Sequence, residues 1–283
     1  MTLTEAKKFF ELKLNEHYSL GEVNFYYRQI IRDCFNIFPT QLALNPNLIL
    51  KNKEIKILKN IISQLLNDKP LQYILGKASF RSLVLRVNKN VLIPRPETEE
   101  LVGWILEDHL HLKKKQMNVL DIGTGSGCIA IALAKEQVLF NVYAFDHEKV
   151  ILNIAKENSK LNGVNIKLFK CDIKNINSIN LNYDIIVSNP PYILPDEKKL
   201  MKKNVLDFEP HNALFVPQKN PLIHYRNIIE FSKTNLNKNG FLYLEINPKL
   251  KMELIDMIDN KFFIISERKD IFGKERMLRL QRI

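Results

Sequence analysis

The stretch Asn118-Val119-Leu120-Asp121-Ile122-Gly123-Thr124-Gly125-Ser126-Gly127 decides the fold of this chain. Its first half is a short apolar run, typical of a buried strand, and its second half has a glycine at every other position. A helical pattern follows over residues 128–137. A strand, a glycine-rich turn and a helix in this order predict the first unit of a parallel sheet covered by helices.

The alternation of strands and helices continues from this stretch to the end of the chain. Helical patterns near 128–137, 147–161, 221–237 and 249–259 separate most of the apolar runs. The final run, 276–281, follows its predecessor closely after Gly273, which predicts an antiparallel last strand. The predicted strands are Asn118–Ile122, Asn141–Asp146, Ile166–Cys171, Tyr183–Ser188, Gly240–Ile246, Phe262–Glu267 and 276–281.

The residues before this region have a different character. Apolar residues at helical spacing predict a small helical bundle over residues 1–72, with Thr4 and Ser19 as candidate N-caps. Residues 80–87 alternate and end in a turn at 88–90, which predicts half of a hairpin. We therefore predict a helical docking domain over 1–72, a hairpin linker over 73–95 and an α/β domain over 96–283.

Composition limits the class of protein. The chain has 283 residues, of which 46% are hydrophobic and 26% charged, as in an ordinary globular protein. It lacks a run of about 20 apolar residues and a signal-peptide pattern, so we expect a cytoplasmic protein that does not contact membranes. The net charge is +11, and residues 1–90 carry fourteen Lys and Arg against seven Asp and Glu. The net charge indicates an anionic partner, for which nucleic acid or a ribosome-associated protein would both qualify, and the excess in residues 1–90 is compatible with a docking face on the first domain.

The cysteines and histidines do not have the spacing of metal ligands. We expect Cys34, Cys128 and Cys171 to be reduced packing residues, because their number is odd and they lie far apart. His109 and His111 are the closest pair, and we expect them to be solvated. No metal is predicted.

The glycine loop predicts a site for a nucleoside with a charged tail. Glycines allow a ligand to approach the backbone, and the start of the following helix attracts a carboxylate or phosphate. The spacing Gly-x-Gly-x-Gly differs from the dinucleotide pattern. Asp146 and Asp172 end the next two strands, where one can bind ribose hydroxyls and the other an adenine amino group. An adenosine with an amino-acid tail therefore fits these residues better than NAD. The loop residues are Gly123, Thr124, Gly125, Ser126 and Gly127.

A second motif, Asn189-Pro190-Pro191-Tyr192, ends the fourth strand of the α/β region. The prolines stiffen the chain and remove two backbone donors. The Asn189 side-chain oxygen and the Pro190 carbonyl can then each accept one hydrogen of a planar NH₂ group, against which Tyr192 can stack. Such a clamp positions a poor amide nucleophile for methyl transfer, so we predict Asn189, Pro190 and Tyr192 as catalytic and the whole motif as substrate-binding.

Five segments together resemble the PrmC/HemK family of peptide chain release factor N5-glutamine methyltransferases. The most specific is Ile93-Pro94-Arg95-Pro96-Glu97-Thr98-Glu99. The others are 70–76, 121–128, 188–193 and 208–214, in the order that the family shows. The chain differs from the family at Phe215–Asn220 and at Asn247-Pro248.

The resemblance implies a Rossmann-like methyltransferase fold that uses S-adenosyl-L-methionine and releases S-adenosyl-L-homocysteine. It implies that Gly123–Gly127 contact the methionine end of the cofactor, that Asp146 binds the ribose, and that Asp172 and Ile173 border the adenine. Asn189 would contact both cofactor and substrate. The implied substrate is the glutamine of the Gly-Gly-Gln motif in class 1 release factors, and its methylation would modulate translation termination. We expect a monomer that does not bind nucleic acid directly.

Three other functions fit the same residues. A ribosomal-protein glutamine methyltransferase would use the same clamp. An adenine N6 DNA methyltransferase would too, although no basic, aromatic-rich insertion suits DNA reading. A ribosome- or RNA-binding module with a vestigial nucleotide pocket would have no need for the Asn-Pro-Pro-Tyr bend.

Overall fold

The computed structural model describes residues 1–110, 116–178 and 181–283 of the chain, which divides into two compact units. The first unit holds Met1–Gly76 together with Lys202–Phe208, and the second holds Lys77–Met201 and Glu209–Ile283. The helices are α1 (Leu3–Leu14), α2 (Leu20–Phe35), α3 (Pro39–Leu44), α4 (Asn52–Leu66), α5 (Leu71–Leu75), α6 (Pro96–Asp108), α7 (Cys128–Glu136), α8 (Lys149–Leu161), α9 (Lys203–Phe208), α10 (Ile223–Asn235) and α11 (Lys251–Met257). The strands are β1 (Lys77–Phe80), β2 (Leu83–Arg86), β3 (Met117–Ile122), β4 (Phe140–Asp146), β5 (Lys167–Lys170), β6 (Tyr183–Ser188), β7 (Leu236–Glu245), β8 (Phe263–Lys269) and β9 (Glu275–Arg282).

The first unit is a helical bundle whose core is formed by α1, α2 and α4. Phe10, Tyr27 and Leu58 are fully buried there, and the Tyr27 hydroxyl donates to the Leu3 carbonyl at 2.8 Å. Ser19 caps α2, as predicted. The predicted cap Thr4 is wrong: Thr2 caps α1, because Glu5 stands three residues later and completes a capping box.

The helix α9 belongs to the first unit although its sequence interrupts the second. Lys202 lies 3.8 Å from Glu22, and Lys203 lies 3.9 Å from Asp68. These pairs are exposed, so each stabilises the unit by less than about 1 kcal/mol. The sequence predicted a domain boundary at residue 72 and a linker over 73–95. It did not indicate that residues 202–208 return to the first unit.

The second unit is built on a seven-stranded sheet in the order β5-β4-β3-β6-β7-β9-β8. The first five strands in this order are parallel, and β9 lies between β7 and β8, antiparallel to both. The predicted Rossmann-like, mostly parallel seven-stranded sheet with an antiparallel last strand is confirmed. Two buried clusters, one including α6 and α7 and the other α10 and α11, pack with residues of the sheet.

The hairpin β1–β2 corrects the predicted strand over 80–87. Its turn falls at Arg81 and Ser82, inside that run, and Arg81 has a left-handed backbone with φ of 48°. The Arg81 amide donates to Glu99 at 2.9 Å, and its guanidinium pairs with Glu136 at 2.6 Å. These long-range partners stabilise a turn at a place where the alternating sequence pattern predicts a continuous strand. The structure assigns the hairpin to the second unit, where Phe80 and Leu85 are buried in the core.

The order of the strands fixes the place of the site. The chain passes from β3 to β4 and β5 on one side, then crosses to β6 on the other side of β3. In an open parallel sheet, ligands bind at the carboxyl ends of the strands where the winding direction reverses. That point lies between β3 and β6, so the segments that follow these two strands meet there.

Candidate active site

A pocket of about 420 Å³ opens at this switch point. This volume lies within the roughly 300–1,000 Å³ of small-molecule sites. The pocket brings together ten of the twelve predicted site residues, all except Gly127 and Tyr192. The ten are Gly123, Thr124, Gly125, Ser126, Asp146, Asp172, Ile173, Asn189, Pro190 and Pro191. Their binding roles remain predictions.

The glycine loop forms the part of the pocket between β3 and α7. Gly127 is the N-cap of α7, with φ of 84°, and a Cβ atom there would lie 2.9 Å from Ile131 Cδ1 and 3.3 Å from Ala155 Cβ. Only glycine therefore fits between α7 and α8. The first amides of α7 have no partners within the helix, and that of Ala130 donates to the Asp121 carboxylate at 3.3 Å. This end of the helix therefore suits an anionic group.

The carboxylate of Asp146 lies at the end of β4 and is joined directly to the loop. Its Oδ2 accepts a hydrogen bond from the Gly125 amide at 2.9 Å, and its Oδ1 accepts one from the His147 amide at 2.8 Å. The His147 ring nitrogen Nδ1 also lies 2.9 Å from Oδ1, so Oδ1 has two partners, whereas Oδ2 can accept one further hydrogen bond. Asp172 follows β5, and its Oδ1 accepts from the Lys174 amide at 2.9 Å.

The Asn189-Pro190-Pro191 bend follows β6 and forms the facing wall. Ser188 Oγ donates to the Ile122 carbonyl at 2.8 Å, which ties the end of β6 to the end of β3. The Asn189 side-chain nitrogen donates to Thr98 Oγ1 at 3.0 Å. Beyond the prolines, Ile193 pairs with the segment around Phe215 through two backbone hydrogen bonds of 2.9 and 3.0 Å. The bend is therefore held on both sides.

Tyr192 lies behind this wall. Its hydroxyl donates to Glu245 Oε1 at 2.8 Å, and the Arg276 guanidinium lies 5.9 Å from the centre of its ring. Burial, followed by the nearby Glu245, raises the pKa of Tyr192 well above its usual value, so the hydroxyl stays protonated. The predicted stacking of Tyr192 on a substrate amide stays a prediction.

The pocket is supported by two pairs of residues. Motif patterns in the sequence did not single out either pair. Glu209 accepts hydrogen bonds from the Arg95 guanidinium at 2.6 Å and the Ile93 amide at 3.1 Å, and Arg95 lines the pocket. Thr98 donates to Glu245 Oε2 at 2.7 Å, and both side chains are buried. Thr98 and Glu209 lie inside segments that carry the family resemblance, which is the one signal that could have pointed to them.

Two buried carboxyl groups stand near the site. Burial raises the pKa of Asp121 to about 7, against hydrogen bonds from Thr124 and the Ala130 amide that lower it. Among the described residues, Asp121 Oδ1 has no hydrogen-bond partner. Burial also raises the pKa of Glu245, while hydrogen bonds from Thr98 and Tyr192 and the charge of Arg276 act in the opposite direction.

The cysteines and histidines add no reactive cluster in the described part of the chain. Cys128 and Cys171 line the pocket, and burial raises the pKa of Cys128 to about 12, so its thiol stays protonated. His109 is buried 3.4 Å from the Tyr243 hydroxyl, so the prediction that it is solvated is wrong. His111 lies outside the described residues. No group of three potential metal ligands occurs among the described residues.

Comparisons with known proteins identify the family. Residues 5–76 match the PrmC N-terminal domain, and residues 104–207 match the methyltransferase small domain. The release factor glutamine methyltransferase of Flavobacterium psychrophilum is 42% identical over 261 residues, which cover 92% of each chain. The chain belongs to the release factor glutamine methyltransferase family. The relative from Bacteroides thetaiotaomicron is 40% identical over 271 residues, covering 95% of this chain and 96% of its own.

The predicted methyltransferase activity class and the predicted family are confirmed by these relatives. Solved structures agree with the fold. A methyltransferase from Pyrococcus furiosus superimposes with a TM-score of 0.53 at 18% identity, covering 79% of this chain and 98% of that chain. The T. thermophilus 16S rRNA N2 G1207 methyltransferase, solved with AdoMet and guanosine, gives a TM-score of 0.53 at 16% identity. The match covers 73% of this chain and 50% of that chain. In the described residues, no helix combines the length and the hydropathy of a membrane span.

Proposed function

We propose that this chain transfers a methyl group from S-adenosyl-L-methionine to the side-chain amide nitrogen of a glutamine in class 1 peptide chain release factors. The glutamine is that of the Gly-Gly-Gln motif, and its methylation modulates translation termination. One observation carries the proposal: the glycine loop with Asp146 and the Asn189-Pro190-Pro191 bend line the same pocket. The names of the relatives from F. psychrophilum and B. thetaiotaomicron support the choice of substrate.

The residues of the pocket fit the cofactor. S-adenosyl-L-methionine supplies a methyl group bonded to a positively charged sulfur. The amides of Gly123, Thr124, Gly125 and Gly127 already donate within the protein. The loop therefore receives the carboxylate of the methionine end through the Ser126 amide and the positive end of α7. Asp146 keeps acceptor capacity on Oδ2 for a ribose hydroxyl while the same oxygen holds the Gly125 amide, and Oδ1 is bonded by His147. Asp172 and Ile173 border the space for adenine in this proposal.

The bend binds the substrate amide. Asn189 Oδ1 and the Pro190 carbonyl each accept one N–H of the glutamine NH₂ group, and Tyr192 supports the bend through its hydrogen bond to Glu245. Accepting both hydrogens returns electron density to a nitrogen whose lone pair is otherwise delocalised. Holding that nitrogen in line for transfer supplies roughly 7–11 kcal/mol of the barrier. The acceptor dipoles also stabilise the charge that develops on nitrogen, and the proton leaves late to water.

The helical unit is the docking domain for the release factor. Its surplus of positive charge, within the fourteen Lys and Arg against seven Asp and Glu of residues 1–90, suits an acidic partner surface. In this proposal the enzyme acts as a cytoplasmic monomer and binds no nucleic acid directly. In this proposal the helical unit selects the protein substrate, and the second unit performs the chemistry.

A labelling experiment tests the substrate. The purified chain is incubated with methyl-labelled S-adenosyl-L-methionine and a class 1 release factor, beside the same factor with Gln→Ala in its Gly-Gly-Gln motif, a ribosomal-protein preparation and a DNA duplex. We expect label in the unaltered release factor alone. Equal label in the altered factor, or label in DNA or ribosomal protein instead, contradicts the proposal.

A variant tests the clamp. Asn189→Ala removes one of the two acceptors, so we expect turnover to fall by at least about 10²-fold, as on removal of a comparable transition-state contact. Binding of S-adenosyl-L-homocysteine, measured by calorimetry, should remain detectable. The control is Asn260→Ala, since Asn260 is an exposed turn residue that does not line the pocket. Undiminished turnover in Asn189→Ala would falsify the clamp mechanism.

A further inference from the structure

A chain of hydrogen bonds connects four side chains and runs from Asn189 and Thr98, which line the pocket, to the buried Glu245 and to Tyr192. Asn189 donates to Thr98 at 3.0 Å, and Thr98 donates to Glu245 Oε2 at 2.7 Å. The other oxygen, Oε1, accepts from Tyr192 at 2.8 Å. These residues come from the end of β6, the first turn of α6 and the end of β7. Glu245 and Thr98 are 147 positions apart in the sequence.

The directions of these hydrogen bonds determine how the Asn189 amide is turned. A threonine hydroxyl has one hydrogen, and that of Thr98 is used on the Glu245 carboxylate. The Thr98 oxygen can then only accept a hydrogen bond from Asn189, so the Asn189 NH₂ group faces Thr98. The nitrogen and the oxygen of a planar amide point in different directions. Asn189 Oδ1 is therefore left for a partner other than Thr98, while Asn189 itself lines the pocket.

The ionised carboxylate of Glu245 sets the direction of these hydrogen bonds. It accepts from two donors at once, and an ionised carboxylate has only acceptor sites. The groups that face Glu245 are Tyr192, Tyr225 and Arg276 together with Glu97 and Cys128 on the α6 and α7 side. Tyr225 donates to the Glu245 backbone carbonyl at 3.1 Å. A proton on Oε2 would instead be donated to Thr98, whose own hydrogen would then turn toward Asn189.

We propose that Thr98 and Glu245 are positioning residues that make Asn189 present its oxygen, and not its NH₂ group, to the substrate amide. This inference rests on the proposed function, because it matters only if Asn189 accepts a hydrogen of the substrate. A substrate NH₂ group offers donors alone. With Asn189 reversed, two donors would meet and the amide would not be held for transfer. Neither Thr98 nor Glu245 needs to touch the substrate.

The first test separates positioning from simple structural support. Thr98→Val keeps the shape but removes the hydroxyl, and Thr98→Ser keeps the hydroxyl. We expect kcat to fall roughly 10²-fold in Thr98→Val and to stay within about threefold of wild type in Thr98→Ser, because loss of orientation near the reacting atoms has effects of this size. The KM for the release factor and the affinity for S-adenosyl-L-homocysteine should stay nearly unchanged in both. The matched control is Ser232→Ala, which removes a buried hydroxyl that bonds the Ile228 carbonyl within α10.

The second test uses pH. Burial raises the pKa of Glu245, so protonation reverses Asn189 as the pH falls through that pKa, and wild-type kcat should decline on the acid side. Glu245→Gln should have a lower kcat, and its kcat should lack this decline at low pH, which we call the acid limb. Thr98→Val should lack the limb as well, since without the hydroxyl the proton on Glu245 no longer influences Asn189. The profile of Thr98→Val therefore serves as the readout if Glu245→Gln does not fold.

The outcomes distinguish the two proposals. If the wild-type chain fails to methylate the release factor, the proposed function is overturned. If the wild type methylates it and Thr98→Val does so with unchanged kcat, only the positioning role is overturned. An acid limb that persists in both variants contradicts the role of Glu245 in the same way. A lower kcat in Thr98→Val with rescue in Thr98→Ser and loss of the limb supports it.

Discussion

At the scale of single residues, Gly127 is a position where both the backbone conformation and the neighbouring atoms exclude a side chain. It combines a left-handed backbone with a close approach to Ile131 and Ala155. The sequence shows a glycine there, but its purpose follows from the neighbours, which belong to α7 and α8. The glycine therefore serves packing beneath the loop, in addition to the ligand contact that the resemblance implies.

A substitution separates these effects. Gly127→Ala should lower the free energy of unfolding of the second unit by about 2–4 kcal/mol, the sum of left-handed strain and overpacking. Gly163→Ala is the matched control, because Gly163 has a φ of 69° and no atom within 4 Å of the added Cβ. It should cost only about 1–2 kcal/mol. Denaturant unfolding followed by fluorescence of Trp104, the single tryptophan, measures both, and equal losses would show that the predicted clash is absent.

At the scale of elements, Glu209 connects two segments that lie far apart in sequence. Its buried carboxylate holds Ile93 and Arg95 of the connection before α6, and it follows directly after α9. The segment of Arg95 and the segment that runs from residue 209 to Pro217 both line the pocket. Segments 93–99 and 208–214, which both carry the family resemblance, are thus joined through Glu209.

Loss of this contact should affect both stability and the pocket. Glu209→Ala leaves the Ile93 amide without its partner and Arg95 without its counter-charge, so we expect a loss of about 2–3 kcal/mol and weaker S-adenosyl-L-homocysteine binding. Glu230→Ala, which removes an exposed pair with Lys233, is the control and should change stability by less than about 0.5 kcal/mol. Trp104 fluorescence and calorimetry provide the measurements. Similar values for the two variants would argue against a structural role of Glu209.

At the scale of the whole molecule, the two units have separate cores. The single tryptophan, Trp104, is buried in the second unit, whereas the core of the first contains Phe10 and Tyr27. Trp104 fluorescence therefore reports on the second unit, and far-ultraviolet circular dichroism on both. A single free energy of unfolding for the chain is meaningful only if the two signals change together.

The stability of the second unit should depend on pH through Asp121. Burial raises its pKa to about 7 from an ordinary 3.8, so the folded unit binds this proton more tightly than the unfolded chain. Its contribution to stability is complete below the ordinary pKa and is lost as the pH rises through the folded pKa. Asp121→Asn abolishes this titration. The wild type should thus lose stability relative to Asp121→Asn between about pH 4 and 7, by an amount of the order of a few kcal/mol.

The control for this pH dependence is Asp196→Asn, because Asp196 is exposed. Its unfolding free energy, followed by Trp104 fluorescence across the same pH range, should stay parallel to that of the wild type. A difference between wild type and Asp121→Asn that does not change with pH would mean that Asp121 has an ordinary pKa.

The sequence by itself determined most strands and helices of the α/β region after residue 117 and ten residues of the pocket wall. Glycines and prolines impose backbone shape locally, and apolar periodicity selects strand or helix within a few residues, so the loop at Gly123–Gly127 and the bend at Asn189 could be located by reading along the chain. The parallel order of strands then follows from their alternation with helices. For the same reason, the family resemblance could be found without coordinates.

Only the tertiary structure decided which distant side chains support these segments. Thr98 and Glu245, or Arg95 and Glu209, meet because three or more elements pack together, and no local periodicity encodes such a meeting. The turn at Arg81 was concealed because its partners, Glu99 and Glu136, are remote, and β9 lies between β7 and β8 because strand pairing is non-local. Local backbone preferences act over a few residues, whereas the orientation of Asn189 depends on hydrogen bonds that form only after the chain has folded.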